Sequence, residues 1–273
     1  RRRLEDRHGS GALEPGRRAP AQREIRVPLW VHIIRDGKLG LPDSAVDRQV
    51  RALNDAYSGK FGGVDTKVRF DLKGVTHTDN ARWFRDPLGN EAGLKDKLRV
   101  GGPETLNLYV AQLGELVLGY STYPYWYGGE PGLDGVVIDW RSVPGGPLRN
   151  FNRGFTAVHE IGHWLGLLHT FENGCDAPGD SVDDTPPEAK ATMGCPARKD
   201  TCRRRGTDPV HNFMDYSHDA ACVSSPRARP HVSTRCGSIP RSRPRQIGSR
   251  RGSPPPRVGA ISRCPLTGHR PCD

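Results

Sequence analysis

The sequence predicts an α+β domain in which two helices pack on a twisted mixed sheet. Three observations support this fold class. Several short stretches have strand patterns, a helix-spaced apolar pattern lies between the first two of them, and a second apolar helical stretch follows the last. The chain has 273 residues, of which 34% are apolar, so we expect a globular domain with a sizeable core.

The first strand and the first helix open this domain. EIRVPLWVHII (24–34) alternates well enough for a strand, and Pro28 within it indicates a sheet edge or a bulge. Asp43 or Ser44 is the expected cap of the following helix. We expect this helix to back the sheet, because its apolar residues fall on one face at helical spacing: Val46, Val50, Leu53 and Tyr57.

Three further strands and a second helix complete the predicted domain. The strands are KVRFDLKGV (67–75), TLNLYVA (105–111) and GVVIDW (135–140). GYSTYPYWYGG (119–129), between the last two, is predicted as an aromatic loop or a rim strand. The second helix begins at about Arg153.

Both ends of the chain differ in composition from the domain at 24–223. Residues 1–23 are charged and contain Gly and Pro, which is typical of a disordered lead-in or a propeptide remnant. Residues 224–273 hold eleven Arg and one acidic residue, so the whole net charge of +10 belongs to this segment. Its Pro, Arg, Ser and Gly cannot bury enough apolar surface to fold, and we expect a disordered basic tail.

Composition also bears on where the protein acts. No run of about 18 apolar residues is present, and Arg1–Arg3 are not followed by the apolar stretch of a signal peptide. We therefore expect no membrane-spanning segment and a chain that starts after processing. Seven cysteines without a repeated CxxC spacing favour a loop-rich, disulfide-bonded secreted protein with at least one unpaired thiol.

The motif HEIGHWLGLLH (159–169) carries the functional prediction. His159 and His163 are four residues apart, so both side chains project from one face of the second helix and can bind one ion. Glu160 can reach a water molecule on that ion without being a ligand. Gly166 can end the helix in the left-handed conformation and return His169 to the metal.

Three histidines with an open fourth position describe a catalytic zinc site. The alternative is a buried amphipathic helix whose histidines have no joint function. The pattern HExxHxxGxxH specifies five positions, and by chance it would occur in a chain of this length at odds of roughly one in ten thousand. We therefore favour zinc. The apolar flanks of the motif are interpreted as core packing.

The motif resembles that of the metzincin metalloproteases, and HNFMDYS (211–217) supplies the methionine, Met214, that these enzymes place beneath the metal. The chain is similar to the pappalysin family in particular, to its microbial, ulilysin-like secreted members, from about Val27 to Cys222. Beyond the zinc motif, the resemblance rests on LGYSTYP, DGVVIDW, GCDAPGDSVDDTP, GCPARKDTC and DPVHNFMDYS.

The resemblance implies a metzincin-like zinc protease domain: a sheet with a backing helix and an active-site helix above an irregular, disulfide-bonded lower subdomain. It also implies that Tyr216 lies near the metal and donates a hydrogen bond to the oxyanion. The alternative for Tyr216 is an aromatic core residue. GYSTYP is the predicted rim along which an extended peptide would pair.

The lower subdomain holds four cysteines and an acidic loop. The cysteines allow three pairings that spacing cannot rank, and metal ligation is a further alternative. The resemblance implies the disulfides Cys175–Cys202 and Cys195–Cys222. It also implies calcium in the acidic loop, with Asp180 and Thr185 as first candidates, whereas the alternative is a solvated loop.

The resemblance stops after Cys222. Relatives continue with a segment of the type Phe-Thr-Pro-Gly-Gln-x-x-Arg-Met, whereas this chain continues SSPRARPHV. Suitable codons for SSPRARPHV, read one base out of register, encode Phe-Thr-Pro-Gly-Gln-Ala-Ala-Arg. We therefore hypothesise a one-base frame shift near Cys222, which the nucleotide sequence tests. Under this hypothesis Cys236, Cys264 and Cys272 are accidental thiols.

The sequence thus predicts a secreted, extracellular zinc endopeptidase, a monomer that acts on protein or peptide substrates and binds no specific nucleic acid and no membrane. In the predicted mechanism, a zinc-activated water attacks the peptide bond and Glu160 is the general base. The alternative is a catalytically impaired zinc-binding protein whose basic tail binds polyanions. The tail contains no aromatic residue that could stack on bases, which disfavours that alternative.

Overall fold

The computed structural model describes residues 23–114, 117–203 and 206–223, together with the backbone of 260–263. The predicted lead-in and most of the predicted tail lie outside these residues. Within them, no helix is long and apolar enough to cross a membrane.

A six-stranded mixed sheet forms the centre of the fold, with the strands in the order β2-β1-β3-β5-β4-β6. The central pairs β2·β1, β1·β3 and β3·β5 are parallel, whereas β4 runs antiparallel to both β5 and β6. The strand bounds are β1 Ile25–Arg35, β2 Val68–Asp79, β3 Leu106–Ala111, β4 Val117–Ser121, β5 Val136–Asp139 and β6 Ala260–Arg263. The predicted class, an α+β fold with a mixed sheet, is confirmed.

Four α-helices accompany the sheet: α1 Val46–Tyr57, α2 Ala81–Arg85, α3 Glu91–Leu98 and α4 Phe155–Trp164. Helix α1 backs α4 through two hydrogen bonds. The Tyr57 hydroxyl donates to the carbonyl of Val158 at 3.2 Å, and the Gln49 amide donates to that of Gly154 at 3.0 Å. Both acceptors belong to the start of α4, so α1 fixes where the motif helix lies on the sheet.

The two faces of the sheet bury separate apolar clusters, because alternate residues of a strand point to opposite sides. Leu108 and Val136 belong to the larger cluster, which also contains the inner faces of α1 and α4. Tyr109 and Val137, their neighbours in sequence, belong to a smaller cluster with Phe84 of α2 and other residues. The larger cluster reaches Phe213 and Met214 and so joins the sheet to the C-terminal part of the domain.

Of the two alternatives predicted for Pro28, the bulge is confirmed: β1 lies between β2 and β3, so it is no sheet edge, and its pairing with β2 has a bulge at Leu29–Trp30. The predicted cap of α1 is wrong. Neither Asp43 nor Ser44 caps α1 with its side chain. The Asp43 carboxylate pairs with Arg35 and with His77, the latter at 2.9 Å, so tertiary ion pairs take the place of a local cap.

Helices α2 and α3 were not predicted from the sequence. Helix α3 contains Lys95, a residue type that sequence patterns place on the surface, yet its side chain is fully buried. Its ammonium group donates to the Leu133 carbonyl at 2.7 Å and pairs with Glu91 at 2.6 Å. Burial lowers the pKa of Lys95. Tertiary partners that are distant in sequence thus stabilise an element with little amphipathic pattern of its own.

The described residues after α4 contain short turns, one isolated bridge between Gly194 and Ser217, and no long helix. The disulfide Cys175–Cys202 is present, with 5.6 Å between the Cα atoms. The predicted disulfide Cys195–Cys222 is wrong: Cys222 has a free thiol, and Cys195 is disulfide-bonded to a different residue. The side chain of Cys222 is instead part of the larger apolar cluster.

Residues 260–263 form β6 beside β4, in a segment for which the sequence predicts disorder. The rest of that segment lies outside the described residues, including SSPRARPHV (224–232), on which the frame-shift hypothesis rests.

The first testable prediction concerns the contact between α1 and the sheet. Leu53 is fully buried in the larger cluster, so Leu53→Ala removes apolar contacts and leaves a cavity. We expect the free energy of unfolding, measured by urea denaturation, to fall by about 2–5 kcal/mol. Arg51→Ala, at an exposed position of the same helix, is the control and should change it by less than about 0.5 kcal/mol. Equal effects of the two substitutions would contradict this assignment of the core.

Candidate metal centre

Helix α4 carries the first half of the motif, and all ten of its residues are buried. It begins after Gly154, whose φ of +86° is a conformation that residues with a Cβ rarely adopt. His159 and His163 lie one turn apart on this helix, and their ring centroids are 4.7 Å apart. Because α4 is buried on every side, the residues around its histidines are apolar and the helix has no polar face.

Gly166 ends the helix as the sequence predicts, in the left-handed region with φ of +101°. The amide of Leu167 donates to the carbonyl of Gly162 at 2.9 Å, and the amide of Gly166 donates to that of His163 at 2.8 Å. This pair of hydrogen bonds is the Schellman arrangement of a helix C-terminus. The resulting bend returns His169 to α4, where its ring centroid lies 4.5 Å from that of His163.

The three predicted ligand histidines converge through their Nε2 atoms. His163 Nε2 lies 3.1 Å from the Nε2 atoms of both His159 and His169. His159 Nδ1 donates to the Phe213 carbonyl at 2.6 Å, and His163 Nδ1 donates to the Leu167 carbonyl at 2.7 Å. Because a carbonyl only accepts, Nδ1 carries the proton in both rings and the Nε2 lone pairs face one another.

This arrangement fits a metal ion. Converging lone pairs repel one another unless a cation lies between them, and neutral imidazole is the form that binds zinc. Burial lowers the pKa of His159 to about 4 and that of His169 to about 3, and it lowers the pKa of His163 as well. The rings are therefore neutral at pH 7. Among the described residues, these histidines are the one group of three or more clustered side chains that could hold a metal.

The turn that contains Met214 lies against the motif helix. A Cβ built on Gly162 would clash with Met214 Sδ, so a side chain at this position would force Met214 to move. The Thr170 amide donates to the Met214 carbonyl at 3.2 Å, which joins the turn to the segment that carries His169. This role of Gly162 was not predicted from the sequence, although a glycine inside a buried helix is an available signal.

The side chain of Glu160 lies between α4 and β4, the strand predicted as the rim, which lies between β5 and β6 in the sheet. This side chain is fully buried and lines a cavity together with His159, Leu118 and Phe155. A Cβ on Gly119 would lie 2.6 Å from Glu160 Cγ and 2.8 Å from Oε1, so the glycine of GYSTYP leaves the space in which this carboxylate lies. The contact between Gly119 and Glu160 was not predicted, because the two residues are 41 positions apart and no sequence pattern links them.

The cavity also contains acidic groups that were not predicted. Asp215 and Asp219 line it, and both are buried. Asp219 accepts the amide of Arg153 at 2.7 Å, and burial raises its pKa to about 7. Burial and the neighbouring Glu188 raise the pKa of Asp215 to about 6. The free thiol of Cys222 lies in the same lining.

Two tyrosines lie beside the histidines. The Tyr216 hydroxyl is 3.2 Å from His169 Nε2, so the structure places this predicted residue next to the converging ring nitrogens. The Tyr123 hydroxyl is 3.3 Å from His163 Nδ1, and its ring stacks on that of Tyr125. Tyr123 was predicted only as part of an aromatic rim.

The two calcium candidates occupy one turn of the acidic loop. The Asp180 carboxylate accepts the amide of Val182 at 3.0 Å and a hydrogen bond from the side chain of Thr185. Burial raises the pKa of Asp180 to about 6. Within the described residues this turn forms no group of three or more clustered candidate ligands, and calcium here stays a prediction.

Comparisons with known proteins agree with this geometry. The sequence profile of peptidase family M43, described as pregnancy-associated plasma protein-A, matches residues 148–225. An extracellular metalloprotease of Pyricularia oryzae is 40% identical over 216 residues, which cover 77% of this chain and 74% of that protein. One from Uncinocarpus reesii is 42% identical over 205 residues, covering 71% and 70% of the two chains.

Solved structures give the same result. Mature mirolysin of Tannerella forsythia, solved in complex with a cleaved peptide, has a TM-score of 0.63 and 25% identity; the match covers 72% of this chain and 86% of that one. Mirolysin in complex with compound 9 has a TM-score of 0.65 and 24% identity, covering 79% and 90%, and this likeness shows the fold.

The fold, the histidine cluster and these relatives define a metalloprotease. The chain belongs to the pappalysin family, peptidase family M43, together with the extracellular metalloproteases of fungi.

The second prediction concerns the contact between Gly162 and Met214. Gly162→Ala forces Met214 to move, so we expect a loss of about 1–3 kcal/mol in the free energy of unfolding and weaker zinc retention against a chelator. Gly93→Ala is the matched control, because this helical glycine in α3 has nothing within 4 Å of an added Cβ. It should be neutral or stabilising by up to about 1 kcal/mol. A neutral Gly162→Ala with full zinc retention would refute the role given to this glycine.

Proposed function

We propose that this metalloprotease is a secreted zinc endopeptidase in which His159, His163 and His169 hold the ion and Glu160 is the general base. One observation carries the proposal: three neutral imidazoles converge through Nε2 next to a buried glutamate that lines a cavity. The fungal relatives that are named extracellular metalloproteases support secretion.

Zinc bound by these nitrogens would act as a Lewis acid that polarises the peptide carbonyl and acidifies water at neutral pH. The protein supplies the remaining groups. The Glu160 carboxylate takes the proton from the attacking water and passes it to the departing amine. The position of Glu160 in the cavity lining, next to His159, supports this role.

Tyr216 would stabilise the tetrahedral intermediate. Its hydroxyl lies close to the ring nitrogens, at 3.2 Å from His169 Nε2, and can turn to donate a hydrogen bond to the developing oxyanion. A donor of this kind lowers the barrier by about 3 kcal/mol.

The substrate would be an extended stretch of protein or peptide. The backbone of β4 passes Glu160 at Gly119, and Leu118 of the same strand lines the cavity. A peptide paired with β4 would therefore present its scissile bond to the histidine cluster and one side chain to the cavity. We propose a monomer that needs no nucleic acid or membrane partner, because all of these groups come from one chain.

Glu160→Gln tests the proposed function. It keeps the size of the side chain but removes the base, so zinc content should stay at one per chain while kcat falls by about 10²–10⁴-fold. The measurements are elemental analysis and hydrolysis of a quenched fluorescent peptide. Glu104→Gln, at an exposed position, is the control and should retain activity. An active Glu160→Gln protein, or wild-type protein that folds without bound zinc, would refute the proposal.

Tyr216→Phe tests the oxyanion role separately. Removal of the hydroxyl should lower kcat about a hundredfold and leave KM nearly unchanged, because the hydrogen bond forms in the transition state. Tyr127→Phe is the control, since this hydroxyl bonds to Arg99 instead. An unchanged kcat in Tyr216→Phe would leave Tyr216 as a packing residue.

A further inference from the structure

Strand β6 lies along the edge of β4 that β5 does not use. The pairing is antiparallel, with Tyr120 opposite Ile261 and Ser121 opposite Ala260. On its other edge β4 pairs with Val136–Ile138 of β5. Residues 260–263 thus form the outer strand of the sheet, next to β4.

This edge adjoins the candidate active site. Gly119, opposite Ser262 of β6, is the residue whose missing side chain makes room for Glu160. Cα atoms of β6 also come within 8 Å of those of α4, the helix that carries the motif. A segment in this position passes close to the groups that would perform the chemistry.

The pairing itself uses backbone groups only. An antiparallel neighbour occupies the free N–H and C=O groups along one edge of a strand, whatever its side chains are. A substrate peptide paired with β4 would need the same groups. Because an edge accommodates one neighbour, β6 and a paired peptide exclude each other.

We propose that residues 260–263 occupy the strand position of the substrate and act as an intramolecular competitor of peptide binding. The competition, unlike the pairing of β6 with β4, rests on the proposed function. If β6 is paired about nine-tenths of the time, the apparent affinity for a peptide is reduced about tenfold.

Proline substitutions in the full chain test the competition. Consecutive residues of a strand direct their N–H groups to opposite sides, so Ile261→Pro with Ser262→Pro removes a donor on either side and prevents pairing. We expect KM for a quenched peptide to fall about tenfold while kcat changes by less than twofold. The matched control is Ile247→Pro with Ser249→Pro, which places the same changes outside β6 and should leave KM unchanged. An unaltered KM in the β6 variant overturns the competition.

Hydrogen exchange tests the pairing without activity. In the unmodified chain the β4 amides that face β6 should be protected, and the β6 variant should lose at least tenfold of this protection while β3 amides keep theirs. Equal protection in the two chains overturns the proposal. If none of the chains hydrolyses peptide, the proposed function fails, but the exchange result still decides whether the tail covers β4.

A peptide added in trans distinguishes release of the tail from damage to the domain. A synthetic peptide of residues 257–265 with Ser in place of Cys264 should raise the KM of the β6 variant again, as a competitive inhibitor. A scrambled peptide of the same composition is the control. Equal inhibition by the two peptides contradicts recognition of a strand by β4.

Discussion

Two backbone carbonyls determine how the candidate metal centre is formed. Phe213 and Leu167 accept the Nδ1 protons of His159 and His163, and this fixes the tautomer and the rotation of both rings so that the Nε2 lone pairs converge. One carbonyl belongs to the Met214 turn and the other to the bend after Gly166. The ligand geometry therefore depends on the folding of two irregular segments as much as on the helix, and the larger apolar cluster, which contains Leu167 and Phe213, holds them in place.

Two close approaches of side chains to glycines connect this centre to its surroundings. Gly162 admits the Met214 sulfur to the helix, and Gly119 admits Glu160 beneath β4. Neither glycine has a side chain that could take part in the reaction. Each lets a neighbouring side chain, Met214 or Glu160, lie close to the backbone. Strand β4, with Gly119, packs against α4, and α1 fixes α4 from behind through Tyr57 and Gln49.

Spacing and resemblance predicted strands β1, β2, β3 and β5, helices α1 and α4, and the proximity of the three histidines and Tyr216, because these features depend on local periodicity or on a dense motif. They predicted disorder where β6 lies, and a loop or a rim strand for 119–129, of which 119–121 belong to β4. They did not predict α2 and α3, whose residues are stabilised by distant partners, as Lys95 is by the Leu133 carbonyl. The family resemblance wrongly implied a Cys195–Cys222 disulfide, whereas the free thiol of Cys222 packs in the core. The contact between Gly119 and Glu160 depends on tertiary approach, on which a linear pattern carries no information.

The bend at Gly166 gives the proposed ion a mechanical role as well. His159 and His163 precede the bend and His169 follows it, so one ion held by all three would cross-link residues 159–169 across the turn that the hydrogen bonds from Leu167 to Gly162 and from Gly166 to His163 close. Such a brace opposes fraying of the last turn of α4. Chelation should therefore loosen the end of this helix before the rest of the sheet responds, and loss of the catalyst would coincide with the first step of local unfolding.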